Sequence, residues 1–173
     1  MAELDIAALA NALQEAAATE ILPRFRKLGD GDVRMKSEAI DLVTEADEAA
    51  EELIRQRVAE AMPDAVFIGE EAVAADPALL DKIADADLAV IVDPIDGTFN
   101  YAAGLPLFGV MLSVVSRGET VACIIYDPMG NDFGIGGVDR RQFSQRQTQA
   151  MADPLTREDR FDRNGVGFDT HEI

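Results

Sequence analysis

Apolar positions recur at helical spacing at the start of the chain, where Ile6, Leu9, Leu13, Ala17 and Ile21 follow one another at three- and four-residue steps with Glu15 and Glu20 between them. This pattern predicts an amphipathic helix over residues 3–28. Pro23 kinks or divides it, and Arg24, Arg26 and Lys27 complement the dipole at its end. Gly29 to Asp32 is a loop. Ile40 to Val43 predicts a short strand leading to Thr44, a helix N-cap with an acid, Asp47, three positions on. The helix over 44–61 carries Ala50, Leu53, Ile54 and Val58 inward and places Glu48, Glu51, Glu52, Arg55 and Arg57 on wetter faces. After a break at Met62 to Asp64, Val66 to Ile68 predicts a strand ending at Gly69-Glu70-Glu71. Asp76 and Pro77 suit the N-cap and first position of a short helix to about Ala84.

The run Leu88 to Val92 is continuous, apolar and partly β-branched, which predicts a strand buried on both faces and ended by Asp93 and Pro94. Gly104 to Pro106 turns the chain into a strand over 108–115, Arg117-Gly118-Glu119 makes a hairpin turn into a strand over 120–126, and a weaker strand lies around 131–135. An antiparallel or mixed sheet between helices, an α+β fold, follows from this order.

The densest chemistry lies between Asp93 and Tyr101. Two carboxylates, Asp93 and Asp96, emerge around a turn at a strand end; Gly97 permits tight backbone geometry, and Thr98 opens a helical turn whose N–H groups favour an anion. Hard carboxylate oxygens beside a phosphate seat suit Mg²⁺. Read alone, the same residues are also an ordinary acidic Pro/Gly turn. Likewise, Asp47 on its own is an acid stabilised by the start of its helix. Gly-Glu-Glu at 69–71 on its own is a solvated strand end.

Composition narrows the partners. With 33 acidic against 15 basic side chains and a formal charge of −18, the chain repels a nucleic-acid backbone. Cys123 is the only cysteine, so no intramolecular disulfide or cysteine metal cluster forms, and its apolar neighbours predict a small buried thiol. His171 is also single, which disfavours a Ser-His-Asp mechanism. The longest apolar stretch, Leu105 to Val115, falls short of the about 20 residues a membrane span needs, and no signal peptide is visible, so a cytoplasmic location is expected.

The string Asp93-Pro-Ile-Asp96-Gly-Thr98-Phe-Asn-Tyr101 closely resembles the signature of the inositol monophosphatase family. Lys36-x₄-Asp41-Leu-Val-Thr-x-x-Asp47 and Gly69-Glu70-Glu71 resemble two further blocks of that family, in its order and with its spacing, and the likeness spans about residues 30–135. The resemblance implies that Glu70, Asp93, the Ile95 carbonyl and Asp96 hold metal, with Asp93 bridging two ions. It further implies that Asp47, Thr98 and Glu70 are catalytic, Asp47 and Thr98 activating water, and that the backbone at Gly97 and Thr98 holds phosphate. Lys36 and Glu71 are further candidates.

Two or three Mg²⁺ ions, or Mn²⁺, are the implied cofactors. Two such ions about 3.5–4 Å apart generate the nucleophile and stabilise the leaving oxygen. A layered α-β-α-β-α fold is implied, of which this chain makes mainly the first half, and so are a small polyol or sugar phosphate as substrate and a homodimer. No nucleic-acid or membrane partner is expected.

Residues 1–135 form the expected N-terminal metal-binding α+β domain, whereas 136–173 are a polar, Gln-rich tail or an incomplete start of the second half. The family continues into a second half with a Trp-Asp-x-Ala-x-Gly block, and this chain has no Trp. Asp159, Asp162 and Asp169 are poor substitutes for its acid. Two readings stand: a Mg²⁺-dependent phosphomonoesterase, or a truncated or divergent metal-binding or assembly domain without catalysis.

Overall fold

The computed structural model describes residues 4–27, 33–35 and 42–137; Lys36, Asp41 and all but Gly136 and Gly137 of the expected tail over 136–173, with His171, lie outside the described residues, and those two glycines end the last strand. Helix α1 (Ile6–Ala16) starts where Asp5 accepts the Ala8 N–H at 2.9 Å. It runs into a π-helical turn, Ala17–Ile21, that ends just before Pro23. Proline has no N–H for the carbonyl four residues back and its ring crowds that carbonyl, so the last turn widens instead of continuing as α-helix.

Strands β1 (Val33–Met35) and β2 (Leu42–Thr44) pair antiparallel, with Val33 opposite Thr44. Helix α2 (Glu45–Ala61) follows directly, closed at its start by the expected reciprocal capping box between Thr44 and Asp47. Beyond it come β3 (Val66–Gly69), α3 (Glu70–Ala75), a 3₁₀ turn over Pro77–Asp81 capped by Asp76, and α4 (Lys82–Asp85). The remaining elements are β4 (Ala89–Asp96), α5 (Thr98–Ala102), β5 (Gly109–Ser116), β6 (Glu119–Asp127) and β7 (Asp132–Gly137).

Strands β3 to β7 form one five-stranded mixed sheet in chain order: β3 is parallel to β4, and every later pair is antiparallel. Helices α1 and α2 pack on each other and on one face of this sheet. Leu9, Leu13, Ile54 and Val58 meet Val90, Val92, Leu112, Val114 and Ile124 there, which matches the two-residue alternation of the strands. The turn between β5 and β6 has positive φ at both Arg117 and Gly118, as a two-residue hairpin loop requires.

Three expectations change. Strand β4 does not end at Asp93 and Pro94; it continues to Asp96 through a bulge, where the ladder to β5 skips from Asp93 opposite Met111 to Asp96 opposite Gly109. A bulge leaves residues out of the ladder, so Pro94 forfeits no bond there. Nor is β4 buried on both faces: Ile91 is only half-buried, and across the same face Ile125 is exposed, because helices α1 and α2 cover the opposite face. Cys123 shares that more open face and is half-buried, not buried.

Candidate active site

The parallel pairing of β3 with β4 sets the site. Gly69 lies opposite Val92, so the residues that follow them, Glu70 directly after β3 as the first residue of α3 and Asp93 still within β4, stand side by side at the same end of the sheet. Asp93 folds back on its own turn, accepting the Ile95 N–H at 3.1 Å across Pro94. Its carboxyl is pushed up to about 7, first by burial and then by the charge of Glu70, a hydrogen bond with Glu70 and the charge of Asp96. Asp96 itself is exposed at the end of the bulge.

The turn that follows is closely held. Gly97 has φ 96°, and a Cβ there would sit 2.9 Å from the Leu107 carbonyl oxygen, so both conformation and space call for glycine. The Asn100 side chain donates to that same oxygen at 2.8 Å. Thr98 opens α5 with its hydroxyl 2.9 Å from the Ile95 carbonyl oxygen and 3.2 Å from Asp47 Oδ1, two acceptors for one proton. A carbonyl oxygen has two lone pairs, so Ile95 keeps acceptor capacity beyond Thr98.

Asp47 has no exposed surface. Its Oδ2 accepts from the Thr44 N–H at 2.8 Å and from the Thr44 hydroxyl, while Oδ1 faces Thr98. Burial raises its pKa, and these hydrogen bonds from Thr44 and Thr98 work against the rise. The expected residues Asp47, Glu70, Asp93, Ile95, Asp96, Gly97 and Thr98 are thus brought together from α2, α3, β4 and α5. Glu71 lies one residue into α3, its backbone N–H bound to Glu51.

Glu51 corrects the sequence pattern. Far from facing water, it is buried at 7% exposure and accepts the Glu71 N–H at 2.7 Å and the Ala72 N–H at 3.0 Å. The signal lay in the helical stripe Asp47, Ala50, Glu51, Ile54 and Val58, all of them buried.

The donor chemistry of Glu70, Asp93 and Asp96 fits a hard divalent cation: three carboxylates, with the charges of Glu70 and Asp96 both acting on Asp93, beside a carbonyl with spare acceptor capacity. Among the described residues, no three His, Cys, Asp or Glu side chains are gathered tightly enough to ligate one ion together. Mg²⁺ is ordinarily held by one or two carboxylates, which pairs of these acids supply, together with waters and substrate phosphate.

A mixed sheet flanked by two helices, with acids at the ends of β3 and β4, is the first half of a layered α-β-α-β-α architecture. The Thermotoga maritima IMPase superposes on it with a TM-score of 0.64 at 26% identity, covering 80% of this chain and 49% of that one. The chain is 38% identical over 92 residues to the Nus factor SuhB of Pasteurella multocida, 53% of this chain and 32% of that protein. It is 33% identical over 121 residues to the fructose-1,6-bisphosphatase of Pyrococcus furiosus, 69% of this chain and 44% of that one. The model of the inositol monophosphatase family matches residues 3–161, and the chain belongs to that family, whose members are phosphatases. It spans a third to a half of the length of these relatives.

Proposed function

We propose that the chain is the N-terminal, cation- and phosphate-binding part of a Mg²⁺-dependent phosphomonoesterase that acts on inositol monophosphate or a similar small polyol or sugar phosphate. The observation that carries this is the meeting of the acidic ends of β3 and β4 with the Asp47–Thr98 pair. Glu70, Asp93, the Ile95 carbonyl and Asp96 hold two or three ions, Mg²⁺ or Mn²⁺, and the backbone at Gly97 and Thr98 seats the phosphate. Bound cations supply Lewis acidity toward the phosphate oxygens and the attacking water. The chain supplies the proton path. With its own hydrogen aimed at Asp47 Oδ1, the Thr98 hydroxyl offers lone pairs to a water. As that water attacks phosphorus, the bond from phosphorus to the ester oxygen breaks, and the departing alkoxide takes a proton from solvent water. The attacking water's proton passes to Thr98 Oγ1 and the Thr98 proton to Asp47, which burial makes a stronger base than an open carboxylate. Lys36 and Glu71 are assigned supporting places, and residues 1–135 the role of one metal-binding domain.

Phosphate release from inositol 1-phosphate should require added Mg²⁺ or Mn²⁺, and Asp47→Asn and Thr98→Ala should each slow it by about 10²-fold or more. Undiminished turnover in chelator contradicts the proposal. A second reading, a metal-binding assembly domain without catalysis, draws on the SuhB relative described as a Nus factor, of which the chain spans 32%. Cation binding with no phosphate release would select it. No helix among the described residues is long and apolar enough to cross a membrane, and a cytoplasmic homodimer belongs to the same proposal. The exposed Leu105 and Leu107 provide apolar surface for pairing. Sedimentation should show dimers at high concentration, and a single monomeric species would refute that part.

A further inference from the structure

Among the described residues the buried polar and charged side chains are Thr44, Asp47 and Glu51. The first two serve the capping box and Thr98; Glu51 serves α3. The N-cap of that helix is Gly69, which has no side chain to receive the free N–H groups of the first turn. Glu51 reaches across from α2 to receive two of them, at Glu71 and Ala72. A Cβ on Gly69 would fall on the Glu51 carboxyl group, so the glycine leaves the room that this carboxylate occupies. A buried carboxylate is costly unless it is hydrogen-bonded, and two N–H donors at the positive end of a helix meet that need.

An N-cap on the helix itself would satisfy the same N–H groups more locally. Carried on α2, one turn beyond Asp47, the cap instead refers two parts of the site to a single helix: the Asp47–Thr98 pair and the segment that begins with Glu70. Because Gly69 is registered opposite Val92, any rotation of the first turn of α3 would swing Glu70 relative to Asp93.

We propose that Glu51 is a positioning residue: by clamping the first turn of α3 it sets where the Glu70 carboxylate stands at the cation site. The inference rests on Glu70 being a cation ligand, as proposed above. It is tested by calorimetric Mn²⁺ titration of the full chain, with Glu51→Gln, Glu51→Asp, Glu70→Gln, the Glu51→Gln/Glu70→Gln double variant and the exposed control Glu52→Gln. Groups that orient a metal ligand typically cost about 10- to 100-fold in affinity when changed. Glu51→Gln should therefore weaken Mn²⁺ binding by about tenfold, Glu51→Asp should do so through its shorter reach, and Glu52→Gln should do nothing. On top of Glu70→Gln the Glu51 change should add no further loss, because it acts through Glu70. Should Glu51→Gln fail to fold, Glu51→Asp carries the same comparisons. Equal Mn²⁺ affinity in the unmodified protein and the Glu51 variants overturns the positioning role alone. A loss that persists undiminished in the Glu70→Gln background also overturns it, reducing Glu51 to a structural cap. No Mn²⁺ binding by the unmodified protein would overturn the ligand role of Glu70 and this inference with it.

Discussion

Asp93→Asn is expected to remove most of the thermal stabilisation that Mn²⁺ or Mg²⁺ gives the folded protein, and Asp96→Asn a smaller part of it. Asp93 stands between the other two acids and carries the charge interaction with both, whereas Asp96 is exposed at the margin. A ligand that binds only the folded state, at about 100 times its Kd, stabilises by about 2.7 kcal/mol. For a chain of this size that is about 5–10 °C in Tm. The shift depends on pH with a definite sign. The Asp93 carboxyl is pushed up to about 7, well above the ordinary aspartate range, so without cation the folded state holds the proton more tightly than the unfolded one. That contribution to stability is present at low pH and is lost as pH rises through about 7. A cation must displace the proton, so scanning calorimetry should show a small shift at pH 5 and a large one at pH 8. Equal shifts in the unmodified protein and both variants would leave the acidic turn without a metal role.

Tyr101→Ala should cost about 3–5 kcal/mol, the range for losing a large buried aromatic side chain. Tyr101 is fully buried in α5, with ring centroids 5.5 Å from Phe25 and 5.1 Å from Phe108, and its hydroxyl donates to the Ile21 carbonyl at 2.7 Å. This one side chain ties the helix that begins with Thr98 to the π-helical end of the first helix. Against a typical domain stability of about 5–15 kcal/mol, its loss is a large fraction of the total. Tyr101→Phe keeps the rings and removes one hydrogen bond to the Ile21 carbonyl, which still accepts the Arg24 and Phe25 N–H groups, at a cost of about 0.5–1.5 kcal/mol. Urea unfolding should rank the three proteins in that order. A Tyr101→Ala midpoint equal to that of the unmodified protein would show that α5 is not held in this way.

Much of this architecture was legible beforehand, and what escaped has physical reasons. The cap at Thr44, the strand over 66–68, the hairpin at Arg117-Gly118 and the strands after it are local signals, set by capping chemistry, alternation and positive φ. The placement of Asp47 beside Thr98 was legible only through family resemblance, since 51 positions separate them and no periodicity relates them. Strand β4 ran past Pro94 because a proline stops a regular ladder but not a bulge. Glu51 was assigned to water because a glutamate on a helix ordinarily faces it; only its partners, the N–H groups of a helix 20 residues away, make its burial affordable. Nor could the half-open state of the far sheet face be read from Leu88 to Val92, since an apolar strand looks the same whether one face or both are covered.

Anomalous diffraction from crystals of the chain grown with Mn²⁺ tests the central claim most directly. The expected result is anomalous density between Glu70, Asp93 and the Ile95 carbonyl, with a further peak at Asp93 and Asp96. Density at none of these residues, in crystals with Mn²⁺ bound elsewhere or not at all, would contradict a cation site at the ends of β3 and β4.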